Sequence, residues 1–94
     1  MKYPFFETTS HGRRIRTFSS SVEDEELIWH RDDEDRHVVV LKSDGWFLQF
    51  DDELPQKLTP GATYVIPKHA WHRVLKKKSA QELVVEIKVF NNHP

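Results

Sequence analysis

Between His30 and His37, in the stretch WHRDDEDRHVVVL (29–41), lie four carboxylates and two imidazoles. Charged groups at that density are costly to bury unless something compensates them. His30 and Asp32 are two positions apart, so in extended backbone an imidazole and a carboxylate point to the same side. That pair is half of a metal clamp. One more imidazole from a facing strand would make two His and one carboxylate, leaving positions open to water or a ligand. A second stretch, YVIPKHAWHRV (64–74), carries His69 and His72. The chemistry depends on whether the two stretches meet. A metal-free alternative is local: Arg36 could pair with Asp32 or Asp35 and offset their charge.

The elements that must position these groups read as strands. Apolar residues alternate with polar ones instead of recurring at three and four, which predicts an all-β chain. Strands are expected over 13–20, 25–30, 37–42, 46–50, 62–67, 71–76 and 82–90, a spacing that suits a sandwich or barrel. Ser43-Asp44-Gly45 predicts a hairpin turn joining 37–42 to 46–50. Leu58-Thr59-Pro60-Gly61 predicts a turn with Pro60 at its first central position and Gly61 at positive φ. Period two puts Ile28, His30 and Asp32 on one face, and Asp35, His37, Val39 and Leu41 on another. It groups His72 with Val74, and Leu83 with Val85, Ile87 and Val89. Because Ile28, Val39 and Leu41 are apolar, their faces are expected to look inward and to carry the histidines and aspartates with them. Asp33 and Glu34 read as a solvated turn, His37 as a core histidine bonded to a carboxylate, and His69 as an exposed loop residue. Trp29, Trp46 and Trp71 read as core or dimer contacts.

Composition narrows the rest. The chain has 94 residues and no cysteine, so residues 1–94 form one domain with neither disulfides nor thiolate metal sites. Net charge is −1, and all carboxylates except Glu82 and Glu86 lie within residues 1–53. The basic block Lys76-Lys77-Lys78 suits a solvated turn, so no nucleic-acid partner is expected. No apolar run is long enough for a bilayer, and the N-terminus lacks a signal-peptide core, so no membrane partner and a cytoplasmic location are expected. There is no Gly-rich phosphate loop, Ser-His-Asp set or nucleophile elbow.

Gly61, five residues, Pro67, one residue, His69, two residues and His72 resemble the second motif of the cupins, G-x5-P-x-G-x2-H-x3-N. His69 stands where that family has Gly, and Lys76 where it has Asn. The first motif, H-x-H-x(3-4)-E-x6-G, is matched by His30, by Asp32 at its second His, by Asp35 near its Glu, and by Gly45. The resemblance covers residues 26–90, with 1–24 as an N-terminal extension or strand. It is to small stand-alone cupins of the RmlC-like jelly-roll superfamily, a type that carries no single defined activity. It implies an antiparallel double-stranded β-helix in which the two motif segments face each other and supply metal ligands: His30, Asp32 and His72, with Asp35 as a fourth ligand or as an acceptor holding a histidine tautomer. The cofactor implied is a divalent transition metal, Fe, Mn, Ni or Zn. The function expected is a metal-binding small cupin that acts on or binds a small oxygen-rich molecule, as a dioxygenase, isomerase or epimerase. The alternatives are a non-catalytic module holding a sugar or organic acid, with or without metal, and a structural domain whose polar cluster is an ion-pair network. No catalytic residue is assigned. A homodimer is expected, since a small sheet protein has edges open to pairing and Tyr3, Phe5, Phe6, Ile15 and Phe18 could cross onto a neighbour.

Overall fold

The computed structural model describes residues 3–90. Eight strands are joined by turns: β1 (Phe6–Ser10), β2 (Arg13–Phe18), β3 (Asp35–Lys42), β4 (Trp46–Phe50), β5 (Gln56–Lys57), β6 (Thr63–Ile66), β7 (His72–Lys76) and β8 (Leu83–Phe90). They form two antiparallel sheets, one ordered β1-β2-β8-β3-β6 and the other β5-β4-β7. This is the expected all-β jelly roll. Among the described residues no helix is long and apolar enough to cross a membrane.

The long apolar strand β8 lies at the centre of the larger sheet, paired with β2 on one side and β3 on the other. Its Leu83, Val85 and Ile87 are buried, as their alternation predicts. They meet Trp46 and Leu48 of the smaller sheet, Val38 and Val40 of β3, and Phe18 of β2 in a single core. Trp46 is fully buried, and its indole N–H donates to the Gln81 carbonyl at 2.6 Å. Thr59-Pro60-Gly61-Ala62 is the expected turn: Gly61 has φ 86° and the Ala62 amide donates to the Thr59 carbonyl at 3.1 Å.

Three expectations are corrected. β3 and β4 do not form a hairpin; they lie in different sheets. The 43–45 corner carries the chain from one sheet to the other and bonds to the 77–81 turn instead, with the Lys77 amide donating to Gly45 and the Gln81 amide to Asp44. Gly45, at φ 91°, admits that neighbour: a Cβ there would stand 3.1 Å from Ala80.

Residues 25–30 are not a strand. Glu23 and Glu26 close a capping box on a short 3₁₀ turn, Asp24–Glu26. Leu27 rather than Ile28 is buried, and Ile28 is 64% exposed.

The inward face of β3 is the opposite of the one expected. Val38 pairs with Ile87 and Val40 with Val85, so Arg36, Val38 and Val40 face the core while Asp35, His37 and Val39 face away. An irregularity between Val40 and Lys42 turns Leu41 out to solvent.

Candidate metal centre

The two polar stretches meet. His30 lies outside any strand, yet its amide donates to the His72 carbonyl at 3.0 Å and the His72 amide returns the bond at 2.9 Å. This antiparallel bridge puts the two imidazoles side by side, ring centres 4.2 Å apart. Two further bonds fasten the segments. The His69 amide donates to the Asp32 carbonyl at 2.8 Å, and the Lys68 amide to the Asp35 carboxylate at 2.7 Å. His69 completes the Pro67–Ala70 turn with φ 67°, the conformation that favours the Gly of the resembling motif.

His30, Asp32 and His72 each place one ligand atom within 4.8 Å of the others. Asp35 is not part of that group; its carboxylate holds the 67–70 turn. His72 is buried, Asp32 half-buried and His30 exposed, so the cluster opens to solvent on one side.

Both imidazoles are oriented by backbone. Nδ1 of His30 lies 3.0 Å from the Ile28 carbonyl, and Nδ1 of His72 lies 2.8 Å from the Ala70 carbonyl. A carbonyl only accepts, so each Nδ1 carries the proton and each neutral ring keeps its lone pair on Nε2. Nε2 of His72 faces Oδ2 of Asp32 at 3.5 Å. Oδ2 is buried and has no hydrogen-bond partner among the described residues. Two lone-pair atoms that face each other in a buried setting need a proton or a cation between them. Burial pushes the His72 pKa down, with the Ala70 hydrogen bond opposing this. Burial disfavours a proton on His72 and the Asp32 carboxylate favours one, so a cation between the two atoms would satisfy both. Ligands adjacent on one metal at about 2.1 Å stand roughly 3 to 3.5 Å apart, the spacing Nε2 and Oδ2 already have. With all three ligand atoms within 4.8 Å of one another, two imidazoles and a carboxylate are a donor set that could hold a divalent transition metal.

Arg36 covers the other side of Asp32. Its Nη1 is 3.3 Å from Oδ1, while Nε and Nη2 donate to Glu34 at 3.0 and 2.8 Å. Of the two partners expected for Arg36, Asp32 is the one it meets; Glu34, read from sequence as a solvated turn residue, is the other. Asp33 is almost fully exposed, with His69 at 3.3 Å. His37 points away from the core, across the sheet from the cluster. Trp29 and Trp71 are exposed on the reverse of the histidine bridge, each covered by an arginine: Arg73 over Trp29 at 4.3 Å and Arg31 over Trp71 at 5.3 Å. Of the three tryptophans read as core or dimer contacts, Trp46 lies in the core and Trp29 and Trp71 do not. Phe5 and Phe18 stack within their own chain, and β1 pairs with β2.

The buried His72 gives metal-free protein a pH dependence. Its folded pKa lies below the unfolded value near 6.5, so the unfolded chain takes the proton first. This contribution to stability is complete above about pH 6.5 and declines as pH falls through that value, levelling below the folded pKa. Denaturant midpoints between pH 7.5 and 5 are expected to fall more in wild type than in His72→Gln. Equal falls would show that His72 does not titrate in this way.

No family model matches the chain, and no curated protein matches it in sequence. Solved structures do match it. A cupin domain from Bordetella pertussis is 24% identical, with 97% of this chain and 99% of that one covered at a TM-score of 0.61. A cupin-2 domain containing protein from Shewanella frigidimarina is 19% identical, with 93% and 81% covered at 0.63. The DMSP lyase DddQ from Ruegeria pomeroyi is 9% identical; 97% of this chain superposes on 48% of the lyase at 0.72. At these identities the likeness is one of fold.

Proposed function

With the fold of a small single-domain cupin as the premise, we propose that this protein holds one divalent transition metal on His30, Asp32 and His72 and uses it to bind or transform a small oxygen-rich molecule. The observation that carries the reading is the buried Oδ2 of Asp32, unpartnered among the described residues and 3.5 Å from the lone-pair nitrogen of His72. Bound there, the metal would supply Lewis acidity toward a chelating oxygen ligand or toward water. The protein's own part is orientation. The Ile28 and Ala70 carbonyls hold both rings with Nε2 toward the cluster, Arg36 restrains Asp32, and Asp35 secures the turn that precedes His72.

A second reading, a binding module without catalysis, is favoured by where the spare histidines lie. His37 faces away from the cluster, and His69 sits at an exposed turn beside Asp33. Neither is placed as a general base. Homodimerisation belongs to the same proposal; it rests on β1, an edge strand whose Phe6 is 67% exposed. Metal analysis of protein purified without an affinity tag tests the main reading. About one equivalent of Fe, Mn, Ni or Zn is expected. Metal-free protein that takes up none of them on reconstitution would leave Arg36 as the sole compensation for Asp32.

A further inference from the structure

The core-facing side of the larger sheet carries arginines. Register puts Arg14 opposite Ile87, Arg16 opposite Val85 and Arg36 opposite Val89, all positions on the apolar face of β8. Arg16 and Arg36 are largely buried, each side chain retaining 14% of its exposure. Guanidiniums so placed need compensation. Glu7 accepts from both Arg14 and Arg16, Glu34 takes two nitrogens of Arg36, and Asp32 faces the third. Three guanidiniums meet three carboxylates, so with neutral histidines this face is balanced without a metal. A dication on His30, Asp32 and His72 adds two positive charges. It also competes for Asp32, whose contact with Arg36 at 3.3 Å is longer than either bond from Arg36 to Glu34.

Resting on the metal reading above, we propose that the ligand of this site is a small dianion, a dicarboxylate or a phosphate monoester, with one oxygen on the metal and an anionic oxygen on Nη1 of Arg36. Such a ligand restores the balance that the metal disturbs; a neutral sugar leaves it unrestored. Arg36 is then a specificity residue. Burial lowers the Arg16 pKa most, and Arg36 lies close enough for its charge to lower it too, while the Glu7 hydrogen bond opposes both.

The test loads metal-free protein with Mn(II) and then titrates it calorimetrically at pH 7.5 with malonate, with methyl phosphate and with neutral malonamide. At least one dianion is expected to bind tenfold or more tightly than malonamide, and whichever dianion prevails identifies the source of the anionic group. Arg36→Met is expected to lose that advantage and Arg36→Lys to keep most of it. Mn(II) affinity is measured first in each variant and the anions are titrated into protein saturated with Mn(II), so that a change in how Arg36 holds Asp32 is separated from loss of the anion contact. Malonamide binding as tightly as both dianions in wild type overturns the proposal without any variant, and so does undiminished dianion affinity in Arg36→Met. Failure of Mn(II) to bind wild type, read before any anion is added, overturns the metal reading and this one together. Mn(II) binding with no preference for dianions overturns this one alone.

Discussion

In thermal melts, a hundredfold excess of Mn, Fe, Ni or Zn over its dissociation constant is expected to stabilise the wild-type protein by about 2.7 kcal/mol through binding to the folded state alone. For a domain of this length that corresponds to a rise in Tm of roughly 10 to 20 °C. The size follows from the ratio of metal to dissociation constant alone; the reason to expect binding is a cluster held together while unsatisfied. Oδ2 of Asp32 is buried without a partner among the described residues, facing a nitrogen that carries a lone pair. His72→Ala is expected to show no metal-dependent rise. It also leaves the fold standing, since Val40, Trp46, Leu48 and Leu83 form the core without it. Its loss falls on packing against Phe50, whose ring centre lies 6.2 Å from that of His72. Asp32→Asn keeps the shape and removes the charge, so it should reduce the rise while retaining the Asp32 carbonyl bond to the His69 amide. An equal rise in wild type and His72→Ala would place the metal elsewhere.

The largest loss of stability is expected from Trp46→Ala. The ring is fully buried, stacks on Phe18 at 5.7 Å, and donates to Gln81 on the turn that the 43–45 corner also engages. Truncation leaves a cavity between the two sheets and an acceptor without its donor. Substitutions of this kind cost about 3 to 5 kcal/mol, against a total of roughly 5 to 15 kcal/mol for a typical domain. The variant should therefore unfold at much lower urea concentration, with the slope of the transition unchanged. Trp71→Ala is the control. That ring is 43% exposed and covered by Arg31, so its removal should cost no more than about 1 kcal/mol. Similar losses at the two positions would mean that the core is not centred on Trp46.

Much of this was legible in the chain, for reasons that differ by residue. The alternation in β8 marked the apolar face, because its polar residues, Glu86 and Lys88, fall only on the outer side. Pro60-Gly61 gave its turn because only Gly adopts that conformation freely. The phase of β3 was not legible. Val38-Val39-Val40-Leu41 is apolar on both faces, and the register with β8 decides which face is inner. The choice brought Arg36 inward, where a reading of polarity alone would have rejected it. Arg14 and Arg16 were hidden the same way, although they share period two with the buried Phe18. The corner at 43–45 looked like a hairpin because turn residues report a reversal but not which partner receives the next strand. His30 and Asp32 were expected on a strand with Ile28. The capping box removed that strand, and the two residues still reach His72 through the paired backbone bonds of His30.

Whether His30, Asp32 and His72 hold a metal is answered most directly by calorimetric titration of Mn(II) or Zn(II) into metal-free wild type and His72→Ala at pH 7.5. Saturable binding at about one equivalent is expected in wild type and none in the variant. No saturable binding in wild type, or the same binding in both proteins, would contradict it.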